Sequence, residues 1–547
     1  MKAKKIVAVL TSIVLGAGLL SGCQTTQQTA SGDQYALTEV TTADTYPLET
    51  DVTLRYWMTV GSGVLASQTS FNTTPLKGYL EENTGIKLAF EHPVVGQENE
   101  GFNILLASDD MPDIIEWDWV KYPGGPEKAI ADDLIIPLNS YIENVSPNFR
   151  KMLEEHPDWA VQAMTDEGNY YYYPFVVPDD VLSSYITFII RKDLLDKAGL
   201  PVPETMDEWE TALYAFRDMG VKTPLYLRFS NNEFGTGSPF TGCFGFAAGF
   251  YQEDGVVKFG PYEPAFGEYV KLMKKWYDDG ILDKEFADED SKRRAALATS
   301  GENGAMYVSM GSDFGNYLEA IPEGSEIDYV ATKIPVRNKG DVPMYAQKNW
   351  PIAEYGAAIS TGSKHKELAA RFLDYGYSED GALTYNFGKE GESFTYQDGE
   401  RGSHIPTYTP LVTDYNQNGG LTLNQALCKY TRCTYKGPFP QSVEYIYQYY
   451  RTDKQREALG LMQSNTLEYK LPNLSYSTEE QQRYTDIMTP IDTYRSETLA
   501  KLISGRLDIS YLDTYFEELK RMGIEEAIQI TQDAYDRYIK RQPVTFD

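Results

Sequence analysis

Between residues 52 and 116 the chain alternates short β-branched or aromatic runs with longer amphipathic ones, and this alternation restricts the fold more than any other feature. Val52 to Trp57 reads as a strand, Pro75 to Asn83 as a helix stopped by Thr84-Gly85, Ile86 to Glu91 as a second strand, Glu98 to Ala107 as a helix and Asp113 to Glu116 as a third strand. Connections of that length are too long for hairpins, so consecutive strands run parallel and are joined by right-handed crossovers. The style repeats further on. Tyr185 to Ile190 is strand-like, and Thr205-Met206-Asp207-Glu208 is a capping box opening a helix with Trp209, Leu213 and Phe216 on one face. Pro224 to Phe229 and Ala305 to Val308 give further strands. Phe266, Val270, Met273 and Tyr277 mark a helix closed by Gly280, and Leu368, Phe372 and Tyr375 stripe another. Leu512 through Tyr538 is predicted as a long helical tail. No repeat of fixed period is visible, which speaks against solenoids and propellers. The class is α/β, and 547 residues accommodate three or four units or two large lobes.

The amino terminus has a different character. Lys2, Lys4 and Lys5 precede an apolar stretch from Ile6 to Leu20, and small residues lead to Cys23. Charge, length and cleavage-site logic make residues 1–22 a signal peptide, since the stretch falls short of the roughly 20 residues a membrane span needs. Leu20-Ser21-Gly22-Cys23 resembles the lipobox of bacterial lipoproteins, which implies lipid on the Cys23 thiol and a body held at the outer face of the cell membrane. Residues 23–50, rich in threonine and lacking Lys and Arg, read as a flexible tether. The full chain carries 80 acidic against 49 basic residues, a net charge of −31, which repels phosphate backbones and anionic headgroups. Nucleic acid is thereby disfavoured as a partner, and the membrane enters only through the anchor. Cys428 and Cys433 either close a small loop disulfide or stay free thiols, and their spacing does not choose.

In open α/β sheets ligands lie beyond the carboxyl ends of the strands. Those ends are Trp57-Met58-Thr59, Glu116-Trp117-Asp118-Trp119, Arg228-Phe229-Ser230-Asn231 and Ser309-Met310-Gly311, with Asp313 and Phe314 beyond. Rings of Trp57, Trp117 and Trp119 can cover the C–H face of a sugar, while Asp118, Arg228 and Asn231 offer the planar hydrogen bonds that hydroxyl pairs accept. Aromatic floor and polar rim together suit an oligosaccharide. The plainer readings carry comparable weight: Trp57 or Trp119 as core, and Asp118 with Arg228 as a salt bridge. Of the four tyrosines Tyr170 to Tyr173, alternation puts two in the core and lets two reach a cleft, Tyr173 among them. Trp350 serves a hinge strand or a ligand equally well.

Catalytic and metal patterns are weak. His92, His156, His365 and His404 are scattered without an i, i+4 pair. Asp283 to Asp290 is acidic but lacks the glycine and terminal glutamate of a calcium loop, and there is no G-x-S-x-G elbow. Asn386 to Gly391 lacks Walker spacing and reads as a turn. Neither a cofactor nor a metal is expected beyond lipid on Cys23. A surface glycoside hydrolase is the different-class alternative, but among 80 acids a catalytic pair cannot be singled out.

Several stretches resemble a known family. Asp109-Asp110-Met111-Pro112-Asp113-Ile114 and Ile130-Ala131-Asp132-Asp133-Leu134-Ile135-Ile136-Pro137-Leu138 are similar to "G-D-x-P-D-I … G-x-I-x-P-L" of the extracellular solute-binding proteins that feed ABC importers. Arg191-Lys192-Asp193-Leu194-Leu195-Asp196-Lys197-Ala198-Gly199-Leu200, followed by Pro203, Thr205, Glu208 and Trp209, resembles their "R-K-D-L-L-x-K-x-G-L-x-x-P-x-T-x-x-E-W". Gly304-Ala305-Met306 and Ser363 to Leu373 resemble further segments of the maltose-binding-protein type. Asp133 departs from the family's glycine, so that loop is expected to turn differently. The resemblance implies a two-lobed, periplasmic-binding-protein-like fold (type II), each lobe a mainly parallel sheet flanked by helices, joined by a multi-strand hinge and closing on ligand. Residues 51–178 plus 351–390 are assigned to lobe 1, 179–350 plus 425–547 to lobe 2, and 391–424 to the crossover. A monomer that captures an oligosaccharide, or else a peptide or other polar solute, for a membrane permease is the implied role. The expected ligand-binding residues are Trp57, Trp117, Asp118, Trp119, Tyr173, Arg228, Asn231, Ser309, Phe314 and Trp350.

Overall fold

The computed structural model describes residues 46–229, 238–288, 290–344, 348–398, 404–432 and 436–546. Cys23, Asn231 and Cys433 lie outside them, so the lipid attachment, one candidate site residue and the proposed cysteine pair are not addressed by it. Cys243 and Cys428 are buried.

Lobe 1 is built on a five-stranded sheet. Its strands in chain order are β1 (Thr53–Trp57), β2 (Lys87–Glu91), β3 (Ile114–Asp118) and β4 (Tyr173–Val176), with a fifth arriving later. Lobe 2 contains β5 (Ile186–Arg191), β6 (Thr223–Tyr226), the hairpin β7 (Phe250–Glu253) with β8 (Val256–Phe259), β9 (Asn303–Ser309) and β10 (Tyr329–Thr332). The chain then returns to lobe 1 as β11 (Ile352–Ile359), and a second hairpin, β12 (Phe394–Asp398) with β13 (His404–Tyr408), flanks that lobe. The spatial orders are β2-β1-β3-β11-β4 and β10-β5-β9-β6. Strands β1, β2 and β3 are parallel, as the crossover lengths require, while β11 runs antiparallel to both β3 and β4. In lobe 2, β5 is antiparallel to both of its neighbours and β6 is parallel to β9. The reversed strand in each lobe is the first one after a crossing.

Local sequence explains the elements. Thr74 caps the helix Pro75–Thr84, with Pro75 in its first turn and Leu76, Tyr79 and Leu80 buried. The Thr205–Glu208 capping box forms as the motif predicts, and Trp209, Ala212, Leu213 and Phe216 are buried beneath it. In the lobe 2 core the Phe188 ring centroid lies 4.9 Å from Trp209 and 5.0 Å from Phe240. Asp133 takes φ +61°, the left-handed conformation a glycine would supply, so the turn is kept and not rerouted. The carboxyl-terminal tail is not one helix. It breaks at Gly523, whose φ of +100° ends Leu512–Met522 and starts Ile524–Tyr538.

The hinge is held by backbone hydrogen bonds. Val177 N–H donates to Pro351 O at 2.8 Å, Val176 N–H to Phe439 O at 3.1 Å and Gln441 N–H to Val176 O at 2.9 Å. The chain passes from the five-stranded to the four-stranded sheet between Val176 and Ile186 and returns between Thr332 and Ile352. The last passage, assigned to 391–424, comes later: β12, β13 and the helix Leu423–Tyr430 flank lobe 1, and the chain leaves only after Gln441. The reason is the helix Leu423–Tyr430, whose buried Leu423, Ala426, Leu427 and Tyr430 pack on helices Ser62–Leu65 and Pro75–Thr84. The assignment of everything after 425 to lobe 2 also needs correction. Helix Asp453–Met462 packs on β10, whereas helix Thr478–Ile503 touches both Phe266–Asp278 of lobe 2 and Gly125–Ala131 of lobe 1.

Candidate functional site

Because β1 and β3 are parallel, both end at one edge of the lobe 1 sheet. Antiparallel β11 brings its first residues to the same edge, with Tyr355 opposite Asp118 and Gly356 opposite Trp117. Position 356 must be glycine, since an added Cβ would sit 2.4 Å from the Tyr172 ring. An aromatic stack forms there. Trp117 stacks on Phe102 at 4.5 Å, meets Trp57 edge-on at 5.7 Å and approaches Tyr355 at 6.0 Å.

Two cavities flank this edge and share Tyr355. One of about 300 Å³ is lined by Thr59, Val60, Gly61, Glu98, Trp117 and Lys436. The other, about 350 Å³, lies under the hinge and is lined by Asp118, Phe175, Trp350, Glu354, Lys470 and Asn473 among others. The Trp350 indole N–H donates to Leu471 O at 3.0 Å, tying hinge to wall.

The charges are arranged in opposition. Asp118 Oδ2 lies 2.8 Å from Lys121 Nζ, and its buried Oδ1 has no hydrogen-bond partner among the described residues. Glu354 reaches solvent but is recessed in the cleft. Shielding by surrounding protein, then the neighbouring Asp118, raises its carboxyl above the ordinary value. Burial lowers both lysines: Lys470 donates to Lys348 O at 2.8 Å, and Lys436 sits 3.9 Å above the Tyr355 ring within 3.3 Å of Thr59 Oγ1. Carboxylates that only accept, ammoniums that only donate and flat rings between them match a polyhydroxylated ligand, whose every hydroxyl does both.

The sequence-based candidates separate into groups. Trp117, Asp118 and Trp350 line the cavities. Trp57 and Trp119 stand behind as support: Trp119 is fully buried, 5.9 Å from Phe102, with its indole nitrogen unpartnered among the described residues. Tyr173 lies in the core and not at the cleft, because its hydroxyl bonds Ser146 Oγ at 2.6 Å and its ring meets Phe149. All four tyrosines 170 to 173 are buried, and none of them lines either cavity. Phe314 is likewise fully buried, and Ser309 N–H donates to Asp313, which pairs with Arg294 at 3.1 Å. Arg228 is half-buried beyond β6 and lines neither cavity; Asp118 pairs with Lys121, where Arg228 had been the suggested partner. Tyr355, Glu354, Lys436 and Lys470 were missed. The strand-end rule reads carboxyl ends, and Tyr355 and Glu354 stand at the amino end of a reversed strand; the lysines come from loops without pattern. The signal within reach was Trp350-Pro351, immediately before them.

A two-lobed α/β chain with a cleft at its hinge is the architecture of a binding protein. The sequence matches the family described as bacterial extracellular solute-binding protein over residues 66–383, more than half of its length, and the chain belongs to that family. Among curated relatives it is similar to the fructooligosaccharide ABC transporter substrate-binding protein FusA of Streptococcus pneumoniae, at 23% identity over 96% of this chain and 97% of that one. It is also similar to lipoprotein LipO of Bacillus subtilis, at 24% identity over 61% of this chain and 67% of that one. Among solved structures, alginate-binding protein AlgQ2 without calcium ion superposes with a TM-score of 0.70 at 21% identity, covering 90% of this chain and 99% of that one. These likenesses establish the two-lobed fold. No metal-ligating cluster occurs among the described residues, and no described helix is long and apolar enough to cross a membrane.

Proposed function

We propose that this chain captures an oligosaccharide beside Trp117 and Tyr355 and presents it to the permease of an ABC importer, as a monomer held at the outer membrane face by lipid on Cys23. The observation that carries the reading is the joining, at one sheet edge, of stacked rings with the Asp118 Oδ1 acceptor, unpartnered among the described residues, the recessed Glu354 and the opposing Lys436 and Lys470. Supporting it are the relative FusA, a fructooligosaccharide transporter component with a kestose complex, and the lipoprotein relative LipO. The role is binding without turnover, and the anchor raises the effective concentration at the permease.

Titration calorimetry on the unlipidated Cys23→Ala chain against neutral fructo- and malto-oligosaccharide series and short peptides tests this. Saturable binding of one glycan series, with chromatography showing no cleaved product, is expected. Binding of peptides alone would move the ligand class, and product formation would replace the transport reading by a hydrolytic one. In cells the same substitution is expected to release protein into the medium. Retention on membranes would refute the anchor.

A further inference from the structure

The segment Asp414 to Gln425 has the spacing of a twelve-residue calcium loop: Asp414, Asn416 and Asn418 at alternate positions, Gly419 sixth, Thr422 ninth and Gln425 last. Its backbone agrees, since Gly419 takes φ +85° and the helix Leu423–Tyr430 leaves the loop. The donor set does not fit the ion. Calcium takes roughly six to eight oxygens, with a bidentate glutamate at the last position, and affinity follows the carboxylate count. This loop offers one carboxylate, Asp414, and an amide at the last position.

Its oxygens are already engaged. Asp414 accepts from Asn416 N–H at 2.9 Å and from the Gln417 amide at 2.7 Å. The Asn418 carboxamide is buried; its oxygen accepts from Leu421 N–H at 2.8 Å and its nitrogen donates to Leu421 O at 2.9 Å. Gln425 Oε1 accepts from Thr422 N–H at 3.0 Å, and Thr422 Oγ1 accepts from Gln425 N–H, completing a capping box. Turning these oxygens to an ion would break bonds already made and leave the Leu421 N–H without its Asn418 acceptor.

We infer that this loop is closed by its own hydrogen bonds and holds the helix Leu423–Tyr430 without a metal ion. That helix backs the cleft wall: it packs on Ser62–Leu65, next to Thr59-Val60-Gly61, so tightly that a Cβ on Gly63 would lie 2.6 Å from Cys428 Sγ. The cleft therefore keeps its shape when calcium is withdrawn.

Thermal unfolding of the full chain in excess EDTA and in millimolar calcium chloride tests this. The two midpoints are expected to agree within about 1 °C, whereas a site of micromolar affinity would raise the calcium midpoint by several degrees. The variant Asn416→Asp/Asn418→Asp/Gln425→Glu, which restores carboxylates on the same frame, is expected to acquire such a rise. A calcium response in the wild-type chain that Asp414→Ala abolishes overturns the inference; one that survives Asp414→Ala arises elsewhere and leaves the loop metal-free. Terbium luminescence, sensitised by the adjacent Tyr415, gives a second readout: wild-type enhancement matching that of the restored variant also overturns it.

Discussion

Tyr355 is the residue on which both cavities turn, and its ring is more accessible than that of Trp117, which is committed to a stack with Phe102. The two rings therefore respond differently to truncation. Tyr355→Ala is expected to weaken oligosaccharide binding about tenfold, roughly 1.4 kcal/mol, with little loss of stability, while Tyr355→Phe keeps the ring and most of the affinity. Trp117→Ala empties a packed position and is expected to lower stability by about 3 kcal/mol or more as well as affinity. Calorimetry for binding and thermal unfolding for stability separate the cases; equal stability losses in Tyr355→Ala and Trp117→Ala would show that Tyr355 is core. Trp117 and Asp118 were legible in the sequence because β3 ends where a parallel strand should present its ligand residues. Tyr355 was not, because strand direction is a property of pairing and leaves no mark on the strand's own residues.

At the scale of elements, one helix is capped by another. Ser146 precedes the helix Pro147–Glu155 but makes no side-chain cap, its hydroxyl being bound to Tyr173. The carboxylate of Asp374, from the helix Lys366–Tyr375, accepts instead from Phe149 N–H at 2.8 Å and from the Asn148 side chain at 2.7 Å. Burial pushes the Asp374 carboxyl up to about 7, against these donors and nearby Arg371. A carboxyl raised in the folded state holds its proton where the unfolded chain has released it. Its favourable contribution is complete below about pH 4 and is lost as pH rises through about 7. Wild-type unfolding midpoints are thus expected to fall relative to those of Asp374→Asn between pH 5 and 8, even though the amide, with fewer acceptors, is less stable throughout. Parallel midpoint curves would show that Asp374 stays ionised across that range. No local pattern announces such a cap, since its two halves are more than 200 residues apart. Local caps, by contrast, were legible: Thr205 with Glu208 lies within one turn. The tail helix was misjudged because Gly523 falls inside an otherwise continuous apolar stripe, and periodicity does not register a single left-handed residue.

At the scale of the molecule, three chain crossings leave the lobes free to rotate, but a fourth connection is made by side chains. The carboxyl-terminal helices, seated on Phe266–Asp278 of lobe 2, reach back to lobe 1 at Asp166. Asp166 accepts from Arg541 Nε at 2.7 Å and from Arg537 Nε at 2.9 Å, while Arg541 also donates to Met164 O at 2.7 Å. The Arg541 side chain is 2% exposed, so removing its carboxylate strands a buried charge at a cost of about 3 kcal/mol or more. Because the tie joins elements rooted on different lobes, its loss is expected to act on shape as well as stability. Asp166→Ala should lower the unfolding midpoint and enlarge the ligand-free radius of gyration measured by X-ray scattering. Saturating oligosaccharide should then shrink the radius in wild type and variant alike, since contacts made only in the closed state shift the population in both. A variant with a lower midpoint but an unchanged ligand-free radius would make Asp166 a stability contact that does not restrain the lobes. A wild-type radius identical with and without saturating ligand would refute hinge closure itself.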